Sequence, residues 1–326
     1  MRRLIFATQR LDADDPVLGA IVPMVRALAA RVDALVVLCD SAEPASVPER
    51  VRVHLFGART QAQRGAKFTA SLARELRRRP LGVVAHMVPL YAVLAAPLVR
   101  PLRIPLVLWY THWKAHAVVR AAEKLCSGVA SVDARSFPLA SRKVHAIGHG
   151  IDLSEFPCTA PPDSDRLRAL VLGRYSPAKG LETILRAAEL AGVEIEARGS
   201  DQSFESYRRE LQRTFPNARL GGPVPRKQVP ELFARSHVLV DNMRAGAPDK
   251  VVYEAAASCL PVLASNPVFD DLLPPELRFD REDPEGLAQR LRTLDRRRRP
   301  ELREVVAHHH SVEHWAEGLL ATVADT

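Results

Sequence analysis

Short β-branched runs alternate with stretches of helical period along the chain, and they do so in two rounds. In the first round Leu4–Ala7, Ala34–Leu38, Val51–Leu55, Gly82–Ala85, Leu106–Trp109, Val129–Val132 and Val144–Ile147 read as strands. Helical patterns lie among them at Val17–Ala30, Lys67–Arg79, Tyr91–Val99 and His116–Cys126. In the first of these, Val17, Ile21, Val25 and Leu28 recur at helical spacing behind Asp15-Pro16, a suitable helix start. Parallel strands need crossover connections, so this alternation predicts parallel sheets with helices on their faces.

A polar, proline-rich stretch, Phe156–Asp165, interrupts the pattern and reads as a linker. The alternation then restarts. Ala169–Leu172, Val193–Ala197, Val238–Asp241 and Pro261–Ala264 read as strands, and Lys179–Leu190, Ser203–Phe215 and Val252–Ser258 as helices. The expected fold class is therefore α/β, with two Rossmann-like, doubly wound domains facing a cleft. The expected domains are residues 1–155 and 156–305, with 306–326 a C-terminal helix packing back on the first. Doubly wound sheets bind ligands outside the carboxyl ends of their strands, which directs attention to the loops there.

Composition narrows the classes. At 326 residues and 47% hydrophobic, the chain has enough apolar mass for two cores, and disorder is excluded as its main state. Met87–Val99, the most apolar stretch, is too short to span a bilayer and holds two prolines. The apolar run at the N-terminus stops at Thr8-Gln9-Arg10 and reads as a buried strand rather than a signal peptide. Cys39, Cys126, Cys158 and Cys259 lie far apart without a CxxC pair, which predicts no disulfide scaffold, no zinc site and a reducing, cytoplasmic setting. The net charge of +8 fits nucleic acid, an anionic membrane or a phosphate-bearing substrate. Nucleic acid is disfavoured, because the basic residues are dispersed and no recognition motif appears.

The region Arg290–Thr326 reads as helical and basic. Its run Arg296–Arg299 suits a solvated helix end, or else a contact to anionic lipid or substrate. His308, His309 and His310 are consecutive, so on a helix they point about 100° apart and cannot all ligate one metal.

Two segments carry chemistry. In Val171–Gly180 a strand ends, Gly173 opens a turn and a helix begins near Lys179. Helix N-termini attract phosphate, and Arg174 and Lys179 flank this turn. An ordinary strand–turn–helix with two surface cations is the alternative. In Ala245–Ser265 a loop with Gly246 and Pro248 feeds a helix carrying Glu254 among small and apolar residues. A carboxylate there can accept two hydrogen bonds from a vicinal diol such as a ribose, or it is simply a surface glutamate.

In order and spacing, these segments resemble the donor domain of GT-B glycosyltransferases of the retaining family 4 type. Gly148-His149-Gly150-Ile151-Asp152 resembles the family's interdomain segment, Gly221-Gly222-Pro223-Val224-Pro225 its loop beside the nucleobase, and Asp15–Gly19 its first glycine-bearing loop. The resemblance covers nearly the whole chain and is strongest from Gly148 to Ser265. It implies an acceptor-binding first domain and a second that binds a nucleotide sugar. Arg174 and Lys179 would hold the diphosphate, Glu254 the ribose, and Gly173 and Val224 would line the donor. Gly19 would let the first helix approach the donor or acceptor closely. His112, after the strand Leu106–Trp109, would contact the transferred sugar. The family usually places a second glutamate eight positions before Glu254, where this chain has Gly246. Asp249 is the nearest acidic substitute, with Lys250 beside it.

The resemblance implies transfer with retention, with the leaving diphosphate stabilised by cationic side chains and no metal or other cofactor required. Asp12-Ala13-Asp14 spells a metal-binding signature of another glycosyltransferase fold, but it lies in the first domain, far in sequence from the donor segment. The implied partners are a nucleotide-sugar donor and a saccharide, lipid-linked or small-molecule acceptor. Acceptor choice would sit in loops of the first domain such as Thr60–Arg79. Its Arg74, Arg77, Arg78 and Arg79 are either solvated or in peripheral contact with the inner membrane face. The competing functions are a nucleotide-sugar epimerase and a non-catalytic nucleotide-sugar-binding protein. A nicotinamide enzyme is disfavoured because no Gly-x-Gly-x-x-Gly follows a strand.

Overall fold

The computed structural model describes residues 2–15 and 18–326. The chain divides into two compact units, Met1–Gly150 with His309–Thr326, and Ile151–His308.

The first unit holds seven parallel strands: β1 (Arg3–Leu11), β2 (Ala34–Ala42), β3 (Val51–Leu55), β4 (Gly82–His86), β5 (Leu106–Trp109), β6 (Gly128–Ser131) and β7 (Val144–Ala146). Their order is β3-β2-β1-β4-β5-β6-β7. The unbroken apolar run Leu4–Ala7 is what a strand covered on both faces requires. Ile5 and Ala7 join a core with Val36, Phe56, Phe68 and Tyr91. Phe6 points the other way, and its ring meets Trp315 edge-on at 6.3 Å. The sheet is flanked by α1 (Ile21–Ala29), α2 (Gln61–Leu76), α3 (Pro89–Val99) and α4 (Ala117–Leu125). Of the helix expected over Val17–Ala30, Val17 lies outside the described residues. α2 begins six residues before the predicted Lys67, because Thr60 caps it by accepting from the Gln63 N–H at 3.2 Å.

The second unit holds β8 (Arg168–Leu172), β9 (Glu194–Arg198), β10 (Arg219–Gly221), β11 (Val238–Asp241) and β12 (Val262–Ala264), all parallel, in the order β10-β9-β8-β11-β12. Its helices are α5 (Leu181–Ala191), α6 (Glu205–Thr214), α7 (Val229–Ala234), α8 (Lys250–Ala257), α9 (Pro284–Arg292) and α10 (Pro300–His309). The last helix, α11 (Val312–Ala324), belongs to the first unit and inserts the fully buried Trp315 there.

Three sequence expectations are corrected. Cys158 and Cys259 form a disulfide, with Cα atoms 5.2 Å apart and a sequence separation of 101. The bond ties the proline-rich segment to the turn after α8, and it removes the cysteine-based reason for a reducing compartment. Reducing it should lower the unfolding free energy by about 2–4 kcal/mol, since a long loop is released. Matching denaturant midpoints with and without reductant would contradict this.

The second correction concerns Arg296–Arg299, which form no helix end but join α9 to α10. Arg296 donates to the carbonyls of Ser164 and Asp165, and Arg298 to those of Thr159, Ala160, Phe233, Ala234 and Ser236. Carbonyls at the end of α7 have no helical partner, and a guanidinium with five donors supplies one. Third, the helix expected over 306–326 begins only at Val312, because the turn at His310-Ser311 separates it from the end of α10. Burial pushes the His310 imidazole down to about 4.

Candidate functional site

In the second sheet the chain winds outward from β8 through β9 to β10, then returns to the other side with β11 and β12. The carboxyl ends of β8 and β11 therefore meet at a topological switch point, where open α/β sheets bind ligands. Gly173 follows β8 with φ +137°, a backbone setting that disfavours side chains. A Cβ there would also strike the Nζ and Cε of Lys179. Ser176 caps a short 3₁₀ turn, Pro177–Lys179, and Gly180 at φ 54° starts α5. The helix thus begins two residues past Lys179, whose side chain folds back under Gly173.

Lys179 is 8% exposed. Its ammonium donates to the Leu172 carbonyl at 3.2 Å, pairs closely with Asp249 and lies 3.8 Å from Asp241. Burial opposes its charge, but Asp249 and Asp241 outweigh burial and raise its pKa. Asp241 ends β11 and accepts from the Met243 N–H at 3.2 Å. Burial, then the neighbouring Asp249, push its carboxyl up to about 7. Arg174, one residue past Gly173, is exposed and in no ion pair among the described residues. The expected phosphate grip is thus divided, with Arg174 open and Lys179 neutralised from within.

Asp249 occupies the N-cap of α8 but caps nothing with its side chain, which goes to Lys179. One turn on, Glu254 is 6% exposed. Its Oε1 accepts from Arg226 at 2.7 Å. Arg226 also donates twice to Oε2 of Glu155, at 2.6 and 3.1 Å, and lies over the Phe156 ring. It follows the loop of Val224, itself 9% exposed, after β10. Lys250 is pushed down to about 8, by burial first and then by the Arg226 charge. Tyr175 braces the strand ends, its hydroxyl 2.9 Å from the carbonyls of both Ala197 and Gly221. Gly246, at φ 79°, sits in a loop held by Asn266, whose amide donates to the carbonyls of Arg244 and Ala247.

The structure thus groups Gly173, Lys179 and Asp249, and places Glu254 and Lys250 around Arg226. Arg226, Glu155 and Asp241 are additions that sequence reading missed. Asp241 had a usable signal, an acid at the end of a predicted strand. Arg226 directly follows the Gly221–Pro225 motif, but its pairing with Glu155 spans 71 residues and leaves no local trace.

In the first unit the strand order reverses between β1 and β4. Gly19, buried in the turn into α1, lies in the loop after β1, and its N–H donates to the Asp15 carbonyl at 2.9 Å. His112 follows β5, stacks on Trp113, and accepts from the Lys114 N–H at Nδ1, 3.0 Å away. Asp12 turns its carboxylate to the Asp14 N–H at 3.0 Å, an ordinary Asx turn.

Solved structures share this architecture across the chain. A lipopolysaccharide outer core galactosyltransferase, WaaB, in its apo form aligns with a TM-score of 0.72 at 12% identity, covering 99% of each chain. The fold is that of the GT-B glycosyltransferases. AviGT4, a glycosyltransferase involved in avilamycin A biosynthesis, aligns at 0.72 with 14% identity over 99% of this chain and 97% of its own. The UDP-GlcNAc 2-epimerase of Methanocaldococcus jannaschii aligns at 0.57 with 12% identity over 100% of both chains, so the same fold also carries epimerase chemistry. No family model matches the chain, and no curated protein matches it in sequence.

Proposed function

We propose that this protein is a retaining glycosyltransferase. It moves a hexose-type sugar from a nucleoside-diphosphate sugar to an acceptor hydroxyl, on a saccharide, a lipid-linked molecule or a small molecule. The observation that carries this reading is the second unit's switch point. There an open guanidinium, Arg174, stands beside Lys179, with the buried carboxylate of Glu254 on the helix that Asp249 leads. Diphosphate, sugar and ribose need such a set. Negative charge grows on the leaving diphosphate as the sugar bond breaks. Arg174 meets it directly, and Lys179 meets it by exchanging its Asp249 contact for phosphate. Same-face attack lets the leaving phosphate accept the acceptor's proton, so no separate base is required. The cations do the work that a metal does elsewhere, and the reading includes metal independence. Gly19 and His112 keep the roles the resemblance implies. A cytoplasmic place, with peripheral contact at the inner membrane face, belongs to the same proposal. No described helix is long and apolar enough to cross a membrane.

The test is nucleotide release from UDP-, GDP- and dTDP-sugars with and without acceptors. One donor should turn over, EDTA should leave the rate unchanged, and Arg174→Ala should weaken donor binding about 10- to 100-fold, the worth of a charged hydrogen bond. Unchanged binding in that variant sinks the site assignment. Conversion of the free nucleotide sugar without acceptor supports the epimerase reading, and binding without turnover of any donor the non-catalytic one.

A further inference from the structure

The two sulfurs of the disulfide differ in their surroundings. Cys158 is exposed in the segment after Phe156, whereas Cys259, in the turn after α8, is 1% exposed. Cys259 also stands at φ 59°, in the left-handed region one residue past the helix's C-cap, Ser258. Glycine fills that position without steric cost, so a cysteine there is kept against the backbone's preference.

The bond closes a circuit of contacts within the second unit. From Cys259 the circuit runs to Ser258, whose N–H donates to the Glu254 carbonyl at 3.1 Å. The Glu254 carboxylate accepts from Arg226, and Arg226 donates to Glu155, three residues before Cys158. Phe156 lies under the same guanidinium. Glu254 is thus reached from the disulfide by two routes, along α8 from its last turn and across Arg226 from the segment of Glu155. A second tie crosses the circuit. Arg303 donates to the carbonyls of Leu153, Phe156 and Ala257, and so joins the same two segments without the sulfurs. Opening the disulfide therefore leaves the segments attached and removes one of two clamps.

We propose that this disulfide is a thiol-controlled clamp that positions Glu254, closed when oxidised and opened by a dithiol. The reductant's thiolate attacks Sγ of Cys158, the exposed sulfur. The Sγ–Sγ bond breaks, and its electron pair leaves on Sγ of Cys259, which takes up a proton. The reductant's second thiol then closes the reductant's own disulfide and releases Cys158 as a thiol. Two electrons and two protons pass from the dithiol to the protein. Exposed disulfides are the labile ones, and in a reducing compartment such a bond switches rather than braces. The clamp rests on these contacts alone. That it governs a nucleotide rests on the reading of Glu254 as the ribose contact.

The test compares the oxidised full chain with the chain reduced by dithiothreitol and with Cys158→Ser. The reduced native protein should take up one iodoacetamide, at Cys158, because Cys39, Cys126 and Cys259 are buried. It should stay folded, because Arg303 remains in place. Without nucleotide, the amides of Ser258, Cys259 and Leu260, which close α8, should exchange faster after reduction. UDP or GDP should bind the reduced chain and Cys158→Ser about five- to tenfold more weakly, less than the loss of a whole charged hydrogen bond. The 2′-deoxy nucleotides should bind both states alike, a selectivity that general loosening of the unit would not produce. Dithiothreitol should leave Cys158→Ser unchanged. Equal amide exchange in the two states overturns the clamp, whatever the nucleotides do. Unequal exchange with equal UDP and GDP binding overturns its control of the donor. Unequal exchange with no nucleotide bound in either state strikes the donor assignment and leaves the clamp standing.

Discussion

Replacing Lys179 by methionine should cost about 3–5 kcal/mol of stability, the penalty for leaving buried charge without its partner. The ammonium holds together two carboxylates, Asp249 in close contact and Asp241 at 3.8 Å. Methionine preserves the stem that packs beneath Gly173, so the loss is electrostatic rather than a cavity. The cost should also depend on pH. Asp241 already titrates near 7 instead of its ordinary 3.8, because of burial and then Asp249. A group raised in the folded state contributes stability that is full below its unfolded pKa and is lost as pH rises through its folded pKa. In the parent this contribution therefore fades between about pH 4 and 7. Without Lys179 the carboxyl rises further, and the gap between variant and parent should widen from pH 5 to pH 9. Asp241→Asn should do the reverse. It keeps an acceptor for the Met243 N–H, removes one buried charge, and should raise the denaturant midpoint at pH 8 but not at pH 4. Equal midpoints for Lys179→Met and parent at pH 9 would contradict the buried triad. On the proposed reaction, Lys179→Met should also lower kcat by about 10²–10³, the worth of one donor aimed at developing charge.

The elements that the sequence announces are those whose patterning is long or strongly apolar. Leu4–Ala7 and Val238–Asp241 are runs that only a buried strand tolerates, and both are strands. β10 is three residues, Arg-Leu-Gly, and α7 is six, too short for either period to show. The first turn of α2 is Gln61-Ala62-Gln63-Arg64, with no apolar stripe, so its start depends on the Thr60 cap. The candidate site divides the same way. Gly173, Lys179 and Glu254 sit at junctions whose geometry follows from the local chain. What those side chains meet does not: the partners of Lys179 lie 62 and 70 residues on, and the cysteines pair across 101. Charge composition was silent on which cations matter, because Arg298 and Arg103 look alike in sequence. One is wrapped in carbonyls and the other stands in solvent.

Arg226→Met should be the second large loss, about 3 kcal/mol, because Glu254 is buried and Arg226 is its ion-pair partner. Lys250 supplies the check. Its pKa is pushed down to about 8 from 10.5, with the Arg226 charge second only to burial. A group lowered in the folded state contributes stability present above its unfolded pKa and lost as pH falls through its folded pKa. The parent should therefore gain stability between about pH 8 and 10.5, and the variant should gain much less, since Lys250 now faces two unopposed carboxylates. The same change reaches the proposed ribose contact. Arg226 holds Oε1 of Glu254 and so restrains the carboxylate's rotation, and on the proposed reading Oε2 would take the diol. The parent should prefer a ribonucleoside diphosphate over its 2′-deoxy form by about tenfold, one hydrogen bond to a charged acceptor. In Arg226→Met that ratio should fall towards one, with KM for the donor rising more than kcat falls. A variant that keeps the full ratio would mean Glu254 needs no orienting partner, and that Arg226 serves the fold alone.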